Sequence, residues 1–83
     1  MNERIGEKIN MVALFQGGRI FPRYFTWHRR VYKVTDITST WHAAEGQFRL
    51  YYFTVCTEQP NIYEIMLSTK NMLWELVSIY HGG

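Results

Sequence analysis

The chain is poor in the residues that staple or punctuate a small protein. Cys56 is the single cysteine among 83 residues, so no internal disulfide is available and the fold does not depend on an oxidising compartment. Only two prolines occur. Pro22 lacks a donor and belongs at a strand start, an edge or a bulge, and Pro60 sits in a break between apolar runs. The early apolar run Met11–Phe15 follows Glu3, Arg4, Glu7 and Lys8 and is too short for a signal h-region or a membrane span. The expectation is a cytoplasmic protein with no membrane partner. No repeat, low-complexity tract or linker marks a second domain. Residues 1–83 read as one domain, with 1–7 expected to fray and 81–83 as a polar tail.

Chemistry-bearing motifs are also scarce. His28, His42, His81 and Cys56 show no C-x-x-C or H-x-x-x-H spacing, so no metal is expected. No glycine-rich loop is present to cradle a phosphate, because Gly17-Gly18 reads as a hairpin turn, and no cofactor is expected. Asp36, His42 and Glu64 are the groups that a hydrolase would have to bring together, yet no local motif marks a serine or Cys56 as an activated nucleophile. Cys56 in an apolar strand reads as a buried, unreactive thiol. The protein is not expected to be an enzyme, and no small-molecule substrate is indicated.

What the chain has is aromatic mass: three Trp, six Tyr and five Phe. Each large ring buries about 150–250 Å². A domain of this length has a thin core, so truncating one buried Trp to Ala costs about 3–5 kcal/mol. Trp41 and Trp74 fall at in-facing parity among apolar neighbours and are expected in the core. Trp27, at the mouth of a basic turn, is expected to be partly exposed.

Taken in order, Lys8–Phe15 fits two readings. Ile5, Ile9 and Val12 have helical spacing, whereas Ile9, Met11, Ala13 and Phe15 alternate as a strand; the β-branched content favours the strand. Gln16–Arg19 is a turn, Ile20–Thr26 is extended, and Trp27–Arg30 is a tight turn into Val31–Trp41. Tyr32 and Val34 share one parity there, Ile37 and Trp41 the other. A phase slip near Thr35-Asp36 is what a β-bulge produces. His42–Gly46 is read as a connection with its tip at Glu45-Gly46. Phe48–Thr57 is apolar on both faces, which fits a central strand covered from two sides or one that exposes aromatics. Ile62–Ser68 and Met72–Tyr80 follow, joined at Thr69–Asn71, where Asn71 is expected to take a left-handed conformation. Short local turns imply antiparallel pairing. The fold class is all-β, an antiparallel meander of five to six strands forming a small open barrel or a strongly bent sheet.

Charge is unevenly placed. Arg19, Arg23, Arg29, Arg30 and Lys33 occupy a stretch without Asp or Glu, whereas the chain after Leu50 holds Lys70 against Glu58, Glu64 and Glu75. Such asymmetry fits a partner with negative charge, although cations also guard strand edges against aggregation. The candidate partner-binding residues are Arg19, Arg23, Tyr24, Trp27, Arg29, Arg30 and Lys33.

Pro22, Phe25, Trp27, Arg30, Tyr32, Val34, Ile37 and Trp41, then the aromatics of Tyr51–Val55, Tyr63-Glu64, Trp74-Glu75-Leu76 and Tyr80 form a dispersed pattern over roughly residues 9–80. It resembles a family of small bacterial all-β domains found alone or appended to proteins related to Y-family DNA polymerases. Those domains tend to carry glycine in the turn occupied here by His28-Arg29. The resemblance implies a small β domain, brings no activity with it, and leans toward nucleic acid through its polymerase company. The residues themselves support two functions. The first is a non-catalytic module that binds a protein partner or a second copy of itself as a homodimer, through Tyr51, Phe53, Val55 or Tyr63 left on an open sheet face. The alternative is a nucleic-acid-binding module using the basic-aromatic hairpin around 19–33.

Overall fold

A computed structural model describes residues 2–82. Six strands follow in order: β1 Asn2–Gln16, β2 Arg19–Trp27, β3 Arg30–Glu45, β4 Phe48–Thr57, β5 Ile62–Ser68 and β6 Leu73–Tyr80. Each pairs antiparallel with the next, and β1 returns to β6, so the meander closes into a barrel. Among the described residues, no helix is long and apolar enough to cross a membrane.

The turns follow from local chemistry. Gly17 and Gly18 both take positive φ in the two-residue link that sets Gln16 opposite Arg19, the signature of a type I′ turn. His28 (φ 50°) and Arg29 (φ 65°) adopt the same geometry without glycine. At the β5–β6 turn the Oδ1 of Asn71 accepts from the Leu73 N–H at 3.1 Å. Met72, not Asn71, takes the left-handed conformation there. The β3–β4 link is tighter than the sequence suggested. The strand runs through His42–Glu45, and Glu45 pairs with Phe48 across Gly46-Gln47.

Two long strands make the curvature by changing partners. Residues 2–9 of β1 pair with β6, and Asn10–Gln16 pair with β2. The expected fraying of 1–7 is therefore corrected for its described part: Asn2 lies opposite Tyr80 and Glu3 opposite Ile79. Met1, and Gly83 of the tail, lie outside the described residues. Residues 8–15 are strand rather than helix. Arg30–Lys33 of β3 pair with β2, and Val34–Glu45 with β4. The bulge expected near Thr35-Asp36 is present between Val34 and Asp36, and a second falls between Ile37 and Ser39. Each extra residue bends the strand and reverses the side-chain phase.

That second reversal decides where the aromatics go. Ile37 faces inward opposite Val55, but Trp41 pairs with Tyr52 on the outside and is 41% exposed. Trp41 is thus not a core residue, and Trp74 is. On β4, Phe53, Val55 and Thr57 are buried and Tyr51 packs against the core, whereas Phe48, Leu50 and Tyr52 fall at outward parity. The face expected to attract a partner through Tyr51, Phe53, Val55 or Tyr63 is the barrel interior. Cys56, at outward parity, is half-buried rather than buried.

The interior is filled by rings. Phe25 lies on Tyr32 with centroids 5.0 Å apart and planes within 9°, and Tyr63 meets Phe25 edge-on at 5.9 Å. Phe53 packs against Trp74 at 5.8 Å. Val55, Ile65, Leu67 and Leu76 complete the fully enclosed layer. A barrel narrower than eight strands leaves no lumen once such side chains are in place.

Candidate functional site

The barrel is closed by its strand order, but the β2–β3 seam is short. Pairing there covers only Tyr24–Trp27 against Lys33–Arg30. Beyond Tyr24, β2 stays with β1, and beyond Lys33, β3 stays with β4. The strands diverge because Arg23 is an extra residue between the Val12–Tyr24 and Ala13–Pro22 pairs, while β3 is bent by its two bulges. Arg19–Arg23 and Val34–Glu45 thus face each other without a shared ladder.

A cleft of about 660 Å³ fills the gap, lined by Arg19–Arg23 on one wall and Val34–Thr40 on the other. A second hollow of about 280 Å³ meets it through Arg19, Ile20 and Thr40 and reaches Trp41, His42, Tyr51 and Tyr52. Together they form one groove running up between the β1–β2 and β3–β4 arms. A site of this size is of the order used for small ligands and extended chain segments.

The lining has a definite chemistry. The cations Arg19 and Arg23 stand on the β2 wall, with the Arg19 guanidinium 5.5 Å above the centre of the Phe21 ring. The β3 wall offers hydroxyls, Thr35, Thr38, Ser39 and Thr40, with Asp36 the carboxylate of that stretch. The Thr38 Oγ1 donates to the Thr54 carbonyl at 3.1 Å, which pins the second bulge. Trp41 stacks on Tyr52 at 5.3 Å with planes 4° apart, leaving an aromatic face at the upper end. All buried polar side-chain atoms among the described residues have partners.

The expected binding residues do not form one surface. Arg19 and Arg23 line the groove. Tyr24 and Lys33 sit opposite one another on the outer face, because their neighbours Phe25 and Tyr32 point inward. Arg29 is at the tip of the β2–β3 turn, and Arg30 pairs with Trp27 at the same end. Trp27 is half-buried, as expected, and its indole N–H donates to Glu7 Oε1. Eight residues of strand separate Arg19 from Trp27, roughly 26 Å. The hydroxyl row and the Trp41–Tyr52 stack were not singled out from sequence; both depend on the bulge at Thr38.

The groups weighed for catalysis are dispersed as well. Asp36 and His42 line different parts of the groove, and Glu64 lies elsewhere, accepting the Tyr80 hydroxyl at 2.9 Å. Among the described residues, no three His, Cys, Asp or Glu side chains are grouped to hold a metal ion. Compared with models of known protein families, with curated proteins and with solved structures, the chain matches none.

Proposed function

We propose that this domain is a non-catalytic interaction module that docks an extended protein segment along the open edge of β3. The observation that carries this reading is the ladder vacant on the β2 side of Ser39–Glu45. An unpaired strand edge is a template for another strand, whose main chain supplies affinity while pockets for alternate side chains supply specificity. Natural edges are usually guarded by Lys, Pro or bulges. The run from Ser39 to Ala44 has no charge, no proline and a regular register.

The test is hydrogen exchange on β3. In the free protein, alternate amides from Ser39 to Glu45 exchange without protection. A capped peptide alternating Thr and Val, added at about 1 mM, a level that detects binding of only about 4 kcal/mol, slows them. If those amides stay unprotected, the docking reading fails.

A second reading has its own support. Arg19 and Arg23 beside the Trp41–Tyr52 stack combine cations with an aromatic platform, the pairing that holds single-stranded nucleic acid. It is weaker because Arg29, Arg30 and Lys33 lie off the groove. Anisotropy of a labelled oligo-dT over a salt series separates the two, since phosphate contacts give a log–log slope near −0.7 per contact.

A further inference from the structure

We infer that the segment taken up by the groove is acidic: an extended strand whose carboxylates, four residues apart, meet Arg19 and Arg23. This rests on the docking reading above and adds the chemistry of the partner.

Three observations point the same way. First, the two walls differ in kind. Opposite Arg19–Arg23, β3 presents Val34–Thr40, main-chain groups outside any ladder on that side with the single carboxylate of Asp36, while the β2 wall contributes two guanidinium groups. A strand laid on β3 therefore turns one edge toward Arg19 and Arg23. Second, both arginines are exposed and neither is engaged by a carboxylate in an ion pair among the described residues; the ion pairs there are His28–Glu7 and His81–Glu3. Guanidinium forks left without a carboxylate are suited to bidentate capture of one. Third, four residues of strand put Arg19 and Arg23 roughly 13 Å apart, which an extended partner matches with side chains at i and i+4. Asp36 is the groove's one opposing carboxylate, too little to neutralise both cations.

A second copy of this chain fits less well. Its uncharged stretch Ser39–Ala44 brings no carboxylate, and its Asp36 and Glu45 are nine residues apart, roughly 30 Å along a strand.

The experiment uses the full chain and three capped peptides of eight residues on a Thr/Val background. One carries Asp at positions two and six, one Lys at those positions, and one Asn. Binding is followed by Trp fluorescence and by amide protection. The Asp peptide is expected to bind at least 10-fold more tightly than the Lys peptide, with protection within Val34–Glu45. The doubly reversed variant, Arg19→Glu with Arg23→Glu, is expected to invert that order. Both positions are exposed, so the variant keeps its circular dichroism, and Arg19→Gln with Arg23→Gln serves as the milder control. Equal binding of Asp and Lys peptides, with amide protection retained, overturns the acidic preference and leaves docking intact. Protection that grows with protein concentration and a dimer mass, without peptide, assigns the edge to a second copy and overturns the inference. Absence of protection by all three peptides overturns both it and the docking reading.

Discussion

Trp27 and Glu7, 20 residues apart in sequence, are joined by a 3.1 Å hydrogen bond from the indole N–H to the carboxylate. The same oxygen lies 3.0 Å from His28 Nε2, and the His28 ring stacks on Trp27 at 4.1 Å. Glu7 can reach the turn because Gly6, at φ +64°, sits within the β1 register shift between Arg4 and Glu7. A strand bulge on β1 therefore secures a strained turn on the neighbouring hairpin.

That bond has a pH signature. The Trp27 indole N–H, and after it the His28 ring, hold the Glu7 carboxyl below its ordinary 4.5. Folding depresses this pKa, so its contribution is present above about pH 4.5 and is lost as pH falls through the lowered value. Acid unfolding followed by Trp fluorescence should show that component in the wild type and lack it in Glu7→Gln.

The turn itself can be relaxed. A side chain in the left-handed region costs about 1–2 kcal/mol, which glycine avoids. Arg29→Gly should stabilise the domain by about 0.5–1 kcal/mol after its greater unfolded-state freedom is counted, a rise of several degrees in Tm. A fall in Tm on calorimetry would show that the Arg29 side chain holds the turn.

Two aromatic truncations should both destabilise the domain, by very different amounts. Phe25 is fully enclosed, and Phe25→Ala should cost about 3–5 kcal/mol. A domain of this length has about 4–12 kcal/mol in all, so the variant should be largely unfolded at the low end of that range. Trp41→Ala removes one outer stack and should cost about 0.5–1.5 kcal/mol by urea denaturation.

Alkaline pH should loosen the barrel. The Glu64 carboxylate, accepting the Tyr80 hydroxyl, pushes that phenol above its ordinary 10.0, and burial does the same to Tyr63. Both are acids with folded pKa values raised, so their contribution is complete below pH 10 and is lost as pH rises through the raised values. In a spectrophotometric titration, Glu64→Gln should bring one tyrosine transition back toward 10.

Much of the fold was legible because turns and apolar parity are local. The paired glycines fixed the first hairpin, and the switch from Tyr32 and Val34 to Ile37 located the first bulge. The second bulge was hidden, because Thr35, Thr38, Ser39 and Thr40 are polar on both faces and offer no alternation to count. Missing it placed Trp41 inside, hid its stack on Tyr52 and concealed the groove. Residues 2–7 misled for a related reason. Asn2, Glu3, Arg4 and Glu7 leave that stretch too polar to show apolar alternation, and only its pairing with β6 makes it strand. Adjacency in sequence makes the basic residues look like one cluster but says nothing of where they end up: Arg19 on the groove, Lys33 on the outer face beyond it and Arg29 at the turn tip.

The pairing of Asn2 with Tyr80 governs how the chain can be made. The hairpins can form as each emerges, but the seam between β1 and β6 unites residues more than 60 positions apart and waits until β6 has been made. Until then the lower half of β1 has no partner, and the nascent domain presents sticky borders on both flanks. Such distant pairing slows folding and prolongs exposure to aggregation. A chain lacking everything from Leu73 onward would be an unsealed curl of five strands, a form that chaperones meet and the finished barrel conceals.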